Sequence, residues 1–196
     1  MLEFAAAVFF LIVTPGPGVL STAGVGSAYG WRPGLRYVAG LWAGTNLVAL
    51  LVVSGLAAAA LAIPWLRAAL LWGSAAYLLY LAARIAFAGT RIAFIHPERP
   101  PGLRAGVALQ AINPKAYAVN TALFSGFAFM AEAMAAETAL KFLIMNLIWI
   151  PLHLLWLWAG VGLRRLDLAP RMQRGINGAM AASMLVVVAL AVGAQL

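Results

Sequence analysis

The sequence contains no cysteine, which excludes disulfides, thiol redox chemistry and thiolate metal sites. Acidic residues are almost as scarce. Five Asp and Glu stand against thirteen Lys and Arg. Glu3, Glu132 and Glu137 fall at the ends of apolar runs, and Glu98 and Asp167 fall in polar connections. No carboxylates are paired for acid–base work, and the two histidines, His96 and His153, lie far apart. No G-x-S-x-G occurs either. An enzyme needs a nucleophile, an acid–base pair or a metal cluster, and this chain offers no motif for one. The reading is therefore no enzyme, no metal and no cofactor. Charge of either sign is rare, at 9% of 196 residues.

What is abundant is apolar surface. Hydrophobic residues make up 65% of the chain, and mean hydropathy is +0.96. Several apolar runs approach the ~20 residues that cross a bilayer. The expectation is a single-domain, all-α, multi-pass membrane protein with six transmembrane helices over residues 1–196. The net charge of +8 does not indicate nucleic acid, because the basic residues gather in a few connections. The start, Met1-Leu2-Glu3, is not the basic head of a cleavable signal.

One run is interrupted from within. Thr14-Pro15-Gly16-Pro17-Gly18 follows ten mostly apolar residues. Two prolines remove helix N–H donors and crowd the preceding turn, and two glycines let the backbone bend. Broken backbone at membrane depth survives only where protein or a water-filled cavity covers it. Span 1 is therefore a broken helix from about Phe4 to Ala28. Gly18, Thr22, Gly26, Gly30 and Gly34 then recur every four residues, a stripe for close helix packing if helical.

A loop over residues 29–36 carries Arg32 and Arg36. Span 2 covers about Tyr37 to Ile63 and opens with Gly40, Gly44, Thr45 and Asn46. Span 3 covers about Ala68 to Ala88. The polar stretch from Gly89 to Leu103 is a loop, in which His96 is solvated. Span 4, about Arg104 to Met130, holds Asn113-Pro114-Lys115. Spans 5 and 6 cover about Ala139 to Leu163 and Gly175 to Gln195. The 1–2, 3–4 and 5–6 connections hold ten of the thirteen basic residues, counting Arg84, and the opposite side holds Arg67 and Lys141. The Arg-rich side is expected in the cytoplasm, with both termini periplasmic.

Three spans per half make any internal repeat inverted, with repeat 1 about 1–90 and repeat 2 about 104–196. Pro15 lies about eleven residues into span 1 and Pro114 about ten into span 4. Both fall ~15 Å deep, approached from opposite faces. Matching Gly/Pro interruptions in inverted halves point to a transporter's central site. The bland alternative is a pair of tolerated proline kinks.

Lys115 carries the sharper signal. A charge near the bilayer centre costs at least ~2.5–3.5 kcal/mol, and no span supplies an internal carboxylate for it. It either bonds carbonyls freed at the breaks, awaits a carboxylate carried by a ligand, or snorkels. His153 shares a helix face with Asn146, Trp149, Trp156 and Gly160. It either carries a proton, with Asn146 beside it, or is a neutral histidine bonded to a neighbouring helix.

The broken Thr14-Pro15-Gly16-Pro17 and Gly40-x-x-x-Gly44 carry a wider likeness, with Ala76 to Arg84, Gly106 and Asn113-Pro114-Lys115. Together they resemble the LysE/RhtB translocator family over the whole chain. The resemblance implies bacterial inner-membrane exporters of amino acids and related small metabolites, driven by ion gradients, in a superfamily of inverted three-helix repeats. It differs at Gly18, where the family has Asn, and at Leu103 and Gln110, where it has Phe and Asn. Thr45 stands where exporters of basic amino acids carry Asp, which disfavours a basic substrate.

The expected partners are a small-molecule substrate, neutral or apolar for an amino acid, and the lipid bilayer, with no nucleic acid and room for a homo-oligomer. The expected binding residues are Thr14, Pro15, Gly16, Pro17, Gly18, Thr45, Asn46, Asn113, Pro114 and Lys115. The competing reading is a non-transporting membrane subunit or assembly factor.

Overall fold

A computed structural model describes residues 1–14, 16–86, 100–130, 132–165 and 170–193. Every regular element among them is helical: α1 Leu2–Val13, α2 Pro17–Tyr29, α3 Trp31–Val53, α4 Leu56–Leu61, α5 Pro64–Ala86, α6 Leu103–Ile112, α7 Pro114–Gly126, α8 Met134–Arg165 and α9 Pro170–Gly193. Helices α3, α5 and α8 are each long and apolar enough to cross a membrane, and α1 with α2, bent by 52°, forms a fourth candidate. The chain is a multi-pass helical membrane protein.

The two breaks arise by one local mechanism. A residue before proline is driven out of the α region. Gly16, before Pro17, is fully extended at φ −159°, ψ 179°. Asn113, before Pro114, is extended at φ −79°, ψ 108°. Each proline then sits at the first helical position, where its missing N–H costs nothing. The counterpart of Pro114 in the fold is therefore Pro17. Pro15 and His96 lie outside the described residues.

Several boundaries differ from the sequence expectation. The 29–36 stretch is no loop. Gly30, at φ 84°, turns the chain in one residue, and Arg32 and Arg36 lie in the first turns of α3. The glycine stripe is consequently split between two helices. It still packs as a unit, because a Cβ on either Gly26 or Gly34 would meet Leu157. Span 2 does not reach Ile63. It ends at Val53, where Gly55 takes the left-handed φ of 77° that starts α4.

The most extensive helix–helix contacts are those of α3 with α6, α2 with α8, and α5 with α9. Each joins the first half of the chain to the second. Missing side chains permit two of these crossings. A Cβ on Gly106 would lie 2.4 Å from the Tyr37 carbonyl oxygen, and one on Gly160 would lie 2.1 Å from that of Ala23. Backbones this close exclude any larger residue. Two apolar clusters flank the crossings. One centres on Tyr37, Leu41, Leu81, Leu109 and Leu157. The other joins Phe4, Val8, Ala49, Leu123 and Met145.

A buried ion pair closes the far end of the second cluster. Lys141 Nζ lies 2.9 Å from Glu137 Oε1 and donates to the Phe124 carbonyl. Glu137 also accepts the Phe129 and Met130 N–H groups. Charges taken from water must be paired and bonded in this way. Lys141, counted from sequence on the side opposite the Arg-rich connections, is 3% exposed.

Candidate functional site

A cavity of about 60 Å³ lies between the two breaks. The first break contributes Thr14, Gly16 and Gly18, and the second contributes Asn113 and Lys115. Thr45 of α3 and Gln110 of α6 join them, with His153 from α8. Leu11, Ile12, Val119, Leu123, Met145 and Trp149 form an apolar wall. Space for a few waters, with polar groups at one side and an apolar wall at the other, is the form of a small-molecule site.

Lys115 dominates the polar side. Its Nζ donates to the Thr14 carbonyl oxygen at 2.6 Å, across 101 residues of sequence. That oxygen stands at the C-terminal end of α1, where the break removes its helical partner and where the helix dipole favours a cation. The bond to a freed carbonyl, one of the three alternatives for this lysine, is present. The lysine also needs Gly16 to be bare, since a Cβ there would sit 2.8 Å from Lys115 Cδ and 2.9 Å from Nζ. Among the described residues none that lines the cavity is Asp or Glu.

The second break is held by a chain of side chains. Asn113 Oδ1 accepts the Lys115 backbone N–H at 3.1 Å, capping α7. Asn113 Nδ2 donates to Gln110 Oε1 at 2.9 Å. Gln110 Nε2 in turn donates to Thr45 Oγ1 at 2.6 Å. This relay ties α7, α6 and α3 together at cavity depth. The start of α2 differs, because Gly16 gives it no side-chain cap.

His153 is 3% exposed. Its ring stacks on Trp149 with centroids 3.5 Å apart and planes at 13°. Nδ1 lies 3.0 Å from the Trp149 carbonyl oxygen. A carbonyl only accepts, so Nδ1 carries the hydrogen and Nε2 is left with its lone pair. Nε2 is 3.5 Å from the point a Cβ on Gly18 would occupy. The sequence alternative of a bond to a neighbouring helix is corrected: the partner is one turn back in α8.

Residues 9–195 match the LysE type translocator family. The chain belongs to that family. It is a membrane exporter of amino acids or related compounds, and the family's members are transporters, not enzymes. No curated protein matches the chain, and no solved structure does.

The translocator brings most of the residues singled out from sequence to one cavity: Thr14, Gly16, Gly18, Thr45, Asn113, Lys115 and His153. Pro17 and Pro114 shape the breaks without lining the cavity. Asn46 and Asn146 lie elsewhere, paired with each other. Asn146 Nδ2 donates to Asn46 Oδ1 at 2.9 Å, and Asn46 Nδ2 returns the bond at 3.0 Å. Trp42 Nε1 is a second donor to Asn146 Oδ1. This is a clasp between α3 and α8, outside the cavity. The sequence set lacked two polar lining residues, Gln110 and Asn120, and the apolar wall, Trp149 included. The signal for the two polar ones was present. Gln110, Asn113, Ala116 and Asn120 follow the 3–3–4 spacing of one helix face. Among the described residues no cluster of His, Asp and Glu is arranged to hold a metal ion.

Proposed function

We propose that this translocator is a secondary active exporter of neutral or apolar amino acids across the bacterial inner membrane, driven by an ion gradient. The observation that carries the reading is Lys115, a cation in the cavity whose only side-chain hydrogen bond among the described residues is to the carbonyl of Thr14. A substrate carboxylate competes for this ammonium because it adds ion–ion attraction to the hydrogen bond, where the Thr14 carbonyl offers only a dipole. Gly18 and Val19, both on the cavity wall, begin an uncapped helix whose first-turn N–H groups add anion donors. The apolar wall receives the side chain, and the absence of Asp and Glu from the lining, among the described residues, disfavours a basic one.

In this reading the single domain, 1–196, has six spans: α1 with α2, α3, α5, α6 with α7, α8, and α9. They form two inverted three-helix repeats with spans 1 and 4 broken, both termini periplasmic and the Arg-rich connections cytoplasmic. The halves rock about the cavity for alternating access. His153 is the coupling group, because its Nε2 is a free base on the cavity side.

The test is export from cells loaded with dipeptides, comparing wild type with Lys115→Ala at equal membrane levels. Loss of amino-acid efflux supports the reading. Full efflux from that variant overturns it.

A further inference from the structure

The cavity is closed toward its two ends by different means. Toward the Arg-rich connections the helices meet at their backbones. A Cβ on Gly40 would lie 2.1 Å from the Leu103 carbonyl oxygen, and one on Gly26 would lie 2.8 Å from that of Leu157. Toward the other end the closure is made of side chains. From Leu123 and Met145 on the cavity wall, one apolar cluster continues through Val8 to Phe4. Phe4 stands ten residues before Thr14, about 15 Å along α1. Its ring lies against those of Phe127 and Phe129, with centroids 6.1 and 6.0 Å away. One ion pair gathers these pieces. Lys141 Nζ meets Glu137 Oε1 at 2.9 Å and donates to the Phe124 carbonyl, in the last turn of α7, at 3.3 Å. The same Nζ lies 5.7 Å from the ring centroids of both Phe4 and Phe129. Glu137 Oε2 accepts the Phe129 N–H at 2.8 Å and the Met130 N–H as well. The pair thus holds α1, α7, α8 and the 127–130 segment at one point.

A buried ion pair gains little over its separated, hydrated ions, because the attraction is offset by the water both groups gave up. Well-packed apolar residues of the same size often hold such a contact more firmly. A pair at this point fixes the closed geometry and still leaves it near balance with an opened form, in which water reaches both charges. We propose that Glu137 and Lys141 are the latch of a gate on the side away from the Arg-rich connections. With the pair made, Phe4, Phe127 and Phe129 seal the cavity. When it parts, α1 and α7 separate at their outer ends and the cavity opens to that side. The inference deepens the exporter reading and rests on its alternating access, which makes this side periplasmic.

The chain has no cysteine, so one introduced on the cavity wall reports access without background. Ala116 lines the cavity. In Ala116→Cys the rate of reaction with membrane-impermeant sulfonatoethyl methanethiosulfonate follows the fraction of molecules open to the side of addition. Right-side-out and inside-out vesicles present the two sides. Adding Glu137→Gln, which removes the charge and keeps the shape, should raise the rate from the periplasmic side about ten-fold and leave the cytoplasmic rate unchanged. Lys141→Met should act alike, and the double variant should react no faster than the faster single one, since each breaks the same contact. The proposal is overturned if neither variant raises the rate, or if the rates rise equally from both sides, as in a loosened or misfolded chain. It is also overturned if the two effects multiply in the double variant. A rise confined to the cytoplasmic side supports the latch and overturns the orientation of the exporter reading. The thiol readout needs no substrate, so full efflux from Lys115→Ala overturns that reading of Lys115 and leaves the latch standing.

Discussion

The two helix breaks are alike in backbone and unlike in chemistry. Each is an extended residue, then a proline, then a new helix. Gly16 carries no side chain to cap α2, so the break offers the Thr14 carbonyl behind it and an uncapped helix start ahead. Around Asn113 side chains serve the backbone: Asn113 Oδ1 caps the start of α7, and the Tyr117 hydroxyl donates to the Ala111 carbonyl. Lys115 joins them, growing from the second break and bonding the carbonyl left open by the first. One break is therefore the receptor for charge and the other its source. The two breaks line one cavity from opposite ends of the Lys115–Thr14 bond.

The largest expected effect comes from removing the source. Lys115→Ala leaves a cavity with no cation, and losing one member of a buried charge–carboxylate contact costs ~2–5 kcal/mol. Export should fall about 100-fold or more, with membrane insertion unchanged. Lys115→Arg should recover only part, since a forked head group does not fit the space over Gly16.

The next effect separates the breaks from the crossings that hold them. Gly106→Val forces a side chain into the Tyr37 backbone, whereas Gly126 has nothing within 4 Å of a new Cβ. Overpacking should destabilise the first variant by ~1–3 kcal/mol or more and leave Gly126→Val near wild type. Thermal unfolding in detergent measures the difference.

A smaller effect compares the breaks directly. Gly16→Ala should push Lys115 off the Thr14 carbonyl at little cost to folding, because the clash is with a flexible side chain. Asn113→Ala should remove the α7 cap and its link to Gln110, at about 1 kcal/mol. Export then falls more than stability in the first variant, and stability falls measurably in the second. If both variants behave alike, the division of labour between the breaks is wrong.

The smallest effect tests what lies outside the cavity. Asn46→Ala and Asn146→Ala each break a reciprocal amide pair, and interhelical bonds in membranes average ~0.6 kcal/mol. A double-mutant cycle should show coupling of about that size, with no change in substrate concentration dependence.

Much of this site was legible because its signals are local. Proline and glycine act on their own neighbours, so the breaks at Gly16 and Asn113 can be placed without knowing the fold. Lys115 stands out because charge inside an apolar run is costly wherever the run packs. Pairings were not legible in this way. Asn46 and Thr45 are adjacent in sequence, yet they point to different neighbours, one to Asn146 and one to Gln110. Asn120 gave only a weak periodic signal.

The sequence by itself determined a helical membrane chain, its two proline breaks and the lysine beside one of them. These follow from hydropathy and from backbone sterics, which need no tertiary contact. Only the tertiary structure decided that Lys115 bonds Thr14, that Asn46 and Asn146 leave the cavity for each other, and that the most extensive helix contacts join one half to the other. Those outcomes depend on which backbones approach where side chains are absent, as at Gly106 and Gly160, and no local rule selects among such approaches.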